Sequence, residues 1–171
     1  MATEDQISLF DLSADSGSAT PRDYNPDLIP ADVKIPILPG TYQTMDQMKV
    51  HCNQCYRCPL GQTRTHAVIG RGNLQAPIMV IGEGPGQNED ETGIPFVGRA
   101  GQLLDKILAS VELSEAEVFI CNVVKCRPPG NRDPETAEIE ACKGYLMEQI
   151  RMVDPQIILL TGKYAMLTML G

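Results

Sequence analysis

Hydrophobic residues fall into three short, nearly unbroken runs with amphipathic stretches between them. Ile78-Met79-Val80-Ile81, Val118 to Val124 (VFICNVV) and Gln156 to Thr161 (QIILLT) show no polar alternation. Such runs predict strands buried on both faces of a parallel sheet. Between the runs the period lengthens. Leu103, Leu104, Ile107, Leu108 and Val111 share one face of a helix over Gly98–Val111. A second helix starts at Asp133-Pro134-Glu135, with an Asp cap, Pro at the first position and an acid in the first turn. It carries Ala141, Cys142, Tyr145, Leu146 and Ile150 and ends near Asp154-Pro155. Lys163 to Leu170 begins another, and Thr44 to Cys55 forms a short one capped by Thr44. Strands alternating with helices predict an open α/β sheet.

Composition adds a boundary. Residues 1–44 contain five prolines, many Ser and Asp and few large apolar side chains, so they read as a disordered acidic tail. Residues 45–171 form one domain, and 43% hydrophobic content over the chain suffices for a core. The net charge of −8 argues against a generic nucleic-acid binder. That charge is uneven: residues 1–50 hold eight acidic and three basic side chains, and the rest is nearly balanced at 14 and 11. DNA is therefore not excluded. No apolar run approaches membrane-spanning length and no export signal is visible. With its cysteines grouped as Cys52-x-x-Cys55-x-x-Cys58, the chain points to a reducing cytoplasm and to metal ligation over disulfides.

The candidate chemistry lies after the first strand. Gly82-Glu83-Gly84-Pro85-Gly86 can bring backbone N–H groups close to a ligand, and Glu89-Asp90-Glu91 and Pro95-Phe96 follow. Ligands of open α/β sheets bind beyond the carboxyl ends of the strands. The loop lacks the Gly-Lys-Ser/Thr of a P-loop, and Gln87 stands where a dinucleotide fingerprint needs Gly. Lys125 to Arg132 is a rigid basic loop. Cys55 and Cys58, with Cys126 and Cys142, make an all-cysteine set suited to zinc or an iron–sulfur cluster. Cys121 reads as a small core residue, and His51 and His66 as surface polar residues.

The stretches GEGPGQNEDETGIPFVGRAGQLLDKIL, CNVVKCRPPGNRDP and EACKGYLMEQI closely resemble the family 4 uracil-DNA glycosylases, which carry a 4Fe-4S cluster. The match covers roughly Cys55 to Gly171. It implies a three-layer α/β/α fold with a parallel sheet, and cluster ligands at Cys55, Cys58, Cys126 and Cys142. Cys52 and Cys121 lie outside the family's pattern. It also implies a catalytic or water-positioning carboxylate at Glu83, a uracil-stacking ring at Phe96 and a base-reading amide at Asn122. Gly84 joins them as a substrate-binding residue, and Glu89 would crowd C5 and exclude thymine. Arg127 and Arg132 would face the DNA backbone. The expected function is hydrolysis of the N-glycosidic bond of deoxyuridine in DNA, releasing uracil and leaving an abasic site, by a monomer associated with the nucleoid. Gln6-Ile7-Ser8-Leu9-Phe10 resembles a sliding-clamp docking peptide, with Gln6, Leu9 and Phe10 as anchors.

One departure accompanies the resemblance. The family's chains continue with a fourth strand and a His-Pro motif, whose histidine donates to the departing uracil, and neither His51 nor His66 lies in such a motif. The expectation is a C-terminally incomplete member with an exposed IILLT strand and weak turnover, since losing such a donor typically costs a factor of about 10²–10³. The alternative is an iron–sulfur DNA-binding or scaffolding module that has lost catalysis.

Overall fold

In the computed structural model, which describes residues 36–171, the apolar runs form the frame. In chain order the elements are α1 (Met45–Asn53), α2 (Leu60–Thr63), β1 (Arg71–Gly72), β2 (Ile78–Gly82), α3 (Gln87–Thr92), α4 (Arg99–Ser110), β3 (Val118–Asn122), α5 (Thr136–Val153), β4 (Ile157–Leu160) and α6 (Lys163–Leu170). The sheet order is β1-β3-β2-β4. β2 runs parallel to both its neighbours, with Val80 opposite Ile120 on one side and Leu159 on the other. The expectation of a wholly parallel sheet needs one correction. β1, two residues long, pairs antiparallel with β3 through Arg71 and Gly72. It is too short to leave a periodic signature.

Each face of the sheet builds its own core. Met79, Ile81, Phe119 and Cys121 pack with Met48 of α1 and with Tyr145, Leu146 and Ile150 of α5. On the opposite face Val80, Val118 and Ile120 lie under Leu104 and Leu108 of α4. Each such side chain contributes about 1.5–3 kcal/mol by leaving water. The five-residue stripe expected on α4 is buried only in part, because Leu103, Ile107 and Val111 are more than half exposed. β4 is an edge strand, as expected, and Ile157 and Leu159 on its α4 side are exposed.

Three further expectations are corrected. Packing begins before residue 45: Ile37 and Tyr42 are buried, and the Gly40 and Tyr42 N–H groups donate to Glu148 of α5 at 2.8 and 3.0 Å. α5 starts at Thr136 with Glu135 as its cap, two residues later than Asp133-Pro134 suggests. There Glu138 accepts from the Glu135 N–H, while Asp133 accepts from the Tyr164 hydroxyl instead of capping. His51 is buried, sharing a 3.2 Å hydrogen bond with the Tyr42 hydroxyl, whereas His66 is exposed as expected. Thr44 does cap α1, reciprocally with Gln47. Gln6, Leu9 and Phe10 lie outside the described residues. No helix among the described residues is long and apolar enough to cross a membrane.

Candidate functional site

Beyond the carboxyl ends of β2 and β3 a cavity of about 290 Å³ opens against α4 and the loop before α5. Glu83, Gly84, Glu89, Phe96 and Asn122 all line it, as does Arg132. Gly82 makes the convergence possible. It pairs with Asn122 across the ladder, and a Cβ there would lie 2.4 Å from Phe96 Cζ and 2.5 Å from Asn122 Oδ1. Only glycine lets the ring and the amide meet over the strand end.

Phe96 is held in a costly conformation. Its φ is +55°, a region that side-chain-bearing residues leave at a gain of about 1–3 kcal/mol. Glu89 braces it. One carboxylate oxygen accepts from the N–H groups of Val97 at 2.9 Å and Gly98 at 2.7 Å, and the other from Gly86 at 3.1 Å. The glycine loop and the Phe96 turn are thus clamped by one nearly buried anion. Gly101, in the first turn of α4, completes the fit, since a Cβ there would come within 1.8 Å of the Phe96 carbonyl oxygen.

Glu83 follows β2 directly. Its Oε1 accepts from the Tyr164 N–H at 2.9 Å, at the first turn of α6, where the helix dipole favours an anion. Gly162, at φ +106°, leaves room for that carboxylate. Asn122 is 2% exposed, and its side chain faces the cavity. The two basic residues differ in placement. Arg132 is on the cavity rim, but its guanidinium forks onto Glu138 at 2.9 and 2.6 Å. Arg127 lies away from the lining and donates through Nε to Asn131. Arg99, which sequence reasoning passed over, lines the cavity at the start of α4.

The expected cysteines also come together. Cys55, Cys58, Cys126 and Cys142 line a second cavity. Cys52, which falls outside the family's pattern, lines it too, while Cys121 is buried in β3 as a core residue. Burial is the main cause that pushes the Cys126 thiol up to about 11 and Cys142 well above the thiol range. Among the described residues no three His, Cys, Asp or Glu side chains converge as ligands of a single ion do. The surroundings are basic, which suits an anionic, sulfur-bound group. Arg57, Arg64 and Lys125 line the cavity. The Lys125 N–H donates to Cys142 Sγ at 3.3 Å, and Arg64 Nη1 lies 3.6 Å from Cys126 Sγ. The buried Tyr145 hydroxyl lies on the same lining, beside Cys55.

Residues 69–171 match the model of the uracil DNA glycosylase superfamily. The chain belongs to that superfamily. Among curated relatives, the type-4 uracil-DNA glycosylase of Thermotoga maritima is 45% identical over 72% of this chain and 65% of its own length. Those of Pyrobaculum aerophilum and Archaeoglobus fulgidus are 48% and 44% identical, over 69% and 72% of this chain and 61% and 62% of theirs. The chain thus spans somewhat under two thirds of the length of these relatives. Of the residues lining the first cavity, sequence reasoning located the glycine loop and the strand-end asparagine. It missed Lys125, Glu138, Tyr145 and Arg99, although the three-residue spacing from Cys52 to Cys55 gave a hint of the fifth thiol.

Proposed function

We propose that this chain carries the base-binding and hydrolytic groups of a type-4 uracil-DNA glycosylase, which removes uracil from DNA and leaves an abasic site. The observation that carries the proposal is the convergence of Glu83, Phe96 and Asn122 on one cavity of about 290 Å³. That volume is near the lower end for small-ligand sites and suits a single extruded pyrimidine. The names of the relatives support the same substrate.

A flipped uracil would stack on the Phe96 ring, which replaces the stacking lost from the helix. The Asn122 amide donates to O4 and accepts from N3–H, and cytosine presents the reverse pattern. Glu83, held at the start of α6, orients the attacking water and stabilises positive charge growing on the sugar. Glu89 keeps the ring in place and narrows the space at C5 against thymine. Arg127 and the fixed charge of Arg132 would meet the phosphate backbone. Cys55, Cys58, Cys126 and Cys142 would hold a 4Fe-4S cluster, whose contribution is structural: it ties the basic loop to α5 and to the segment before α2. Zinc is the alternative metal for the same four thiols. Docking on a sliding clamp through Gln6, Leu9 and Phe10, and action as a monomer, belong to the same proposal and are supported by the sequence alone.

The test is excision from single-stranded DNA containing one deoxyuridine. Glu83→Gln keeps an oxygen for the Tyr164 N–H. It should lower excision at least about a hundredfold while leaving oligonucleotide affinity unchanged. Undiminished excision would overturn the role of Glu83. Binding without excision in the parent protein would favour the scaffolding module.

A further inference from the structure

Lys125 stands three residues after Asn122 and directly before Cys126, and only 1% of it is exposed. A lysine this buried is unusual unless its charge is satisfied. Its Nζ turns back along the chain and donates to the carbonyl oxygen of Asn122. Its backbone N–H donates to Cys142 Sγ at 3.3 Å, and its carbonyl accepts from the Val68 N–H at 2.7 Å. The residue also lines the cysteine cavity. One residue therefore touches the base-reading strand end and the sulfur cluster of side chains at once.

We propose that Lys125 is a positioning residue for base recognition, fixing the Asn122 backbone from the cysteine cavity so that the amide meets uracil at the correct angle. The inference rests on the uracil-reading role given to Asn122 above. Its physical basis is the placement of the two contacts. Asn122 is the last residue of β3, and the peptide that follows it is held on one side by the Val123 N–H, which donates to the Gly82 carbonyl at 2.8 Å. A charged donor on the Asn122 carbonyl holds the same peptide from its other side, and such hydrogen bonds are stronger than neutral ones. The backbone N–H of the same residue donates to Cys142 Sγ at 3.3 Å, so the strand end and the cysteine cavity share one point of attachment.

The experiment compares three single-stranded oligonucleotides that differ at one position: deoxyuridine, thymidine or an abasic analogue. Lys125→Met and Lys125→Gln are measured alone and combined with Asn122→Ala, with the iron-dependent absorbance at about 400 nm recorded for each protein. The Gln side chain is neutral and too short to reach the Asn122 carbonyl, so it serves if the Met variant fails to fold. The expected result is about a tenfold loss of preference for uracil over thymine, with abasic affinity and absorbance per protein unchanged. In the Asn122→Ala background neither change should have further effect. Three results would overturn the proposal: an unaltered preference, an equal loss without the Asn122 amide, or a loss that only follows missing absorbance. A parent protein that shows no preference for uracil would instead refute the role of Asn122 itself, and the two failures are thus told apart.

Discussion

Glu89→Gln is the sharpest test of how the base platform is held. The carboxylate accepts three backbone N–H groups, from Gly86, Val97 and Gly98. A glutamine can keep its oxygen toward Val97 and Gly98, but its NH2 then faces the Gly86 N–H, donor against donor. One charge-assisted hydrogen bond, worth about 1.5–3 kcal/mol, is lost, and the other two fall to neutral strength near 1 kcal/mol each. The net loss should be about 2.5–7 kcal/mol. Urea denaturation reads this directly: with a slope of about 2 kcal/mol/M the midpoint should drop by at least about 1 M. Release of the clamp also lets Phe96 leave its positive φ, so affinity for a deoxyuridine oligonucleotide should fall alongside stability. An unchanged midpoint combined with new acceptance of thymine would refute the bracing role and leave Glu89 as a filter at C5 alone.

Gly101→Ala should raise intrinsic helix propensity in α4 by about 1 kcal/mol and still weaken uracil binding at least about tenfold. The added Cβ meets the Phe96 carbonyl at 1.8 Å and must push the ring out of place; unchanged affinity for the oligonucleotide would count against that placement. The Arg132–Glu138 pair predicts a pH dependence. The hydrogen bonds from Arg132 hold the Glu138 carboxyl below its ordinary value of 4.5, so the pair's contribution is complete above that pH and fades as pH falls through the lower, folded value. Thermal melts should therefore show wild type above Glu138→Gln at pH 7, with the gap closing below pH of about 4.5. A gap independent of pH would mean that the pairing is not what separates them.

β2 and β3 were legible because their runs are buried on both faces, and β4 because it carries the same unbroken apolar run, although Ile157 and Leu159 on one of its faces are exposed. Glu83 and Asn122 were legible for a related reason, being the first polar side chains at strand ends where ligands of such sheets bind. Phe96 was not, except through resemblance, since an isolated phenylalanine carries no local mark of a positive φ. The bracing by Glu89 was hidden because its partners are backbone N–H groups, which have no residue identity. His51 looked like a surface residue in a polar stretch, yet Tyr42 folds over it from nine positions away. The α4 stripe was overestimated because periodicity reports which side chains share a face, not how far the sheet beneath that face extends.

The cysteine cavity also constrains the order in which the molecule can be completed. Cys58 and Cys126 stand 68 positions apart, and Cys142 arrives later still in α5. Any group bonded across Cys58 and Cys126 closes a span that, by the chain-entropy estimate for crosslinks, removes about 4 kcal/mol of freedom from the unfolded polymer. A group held by all four cysteines could not close on a nascent chain until residue 142 has left the ribosome. Were such a group bound, its insertion would follow the emergence of β2 and β3 and precede that of β4, and a protein starved of it would keep its strands while its basic loop stayed untied.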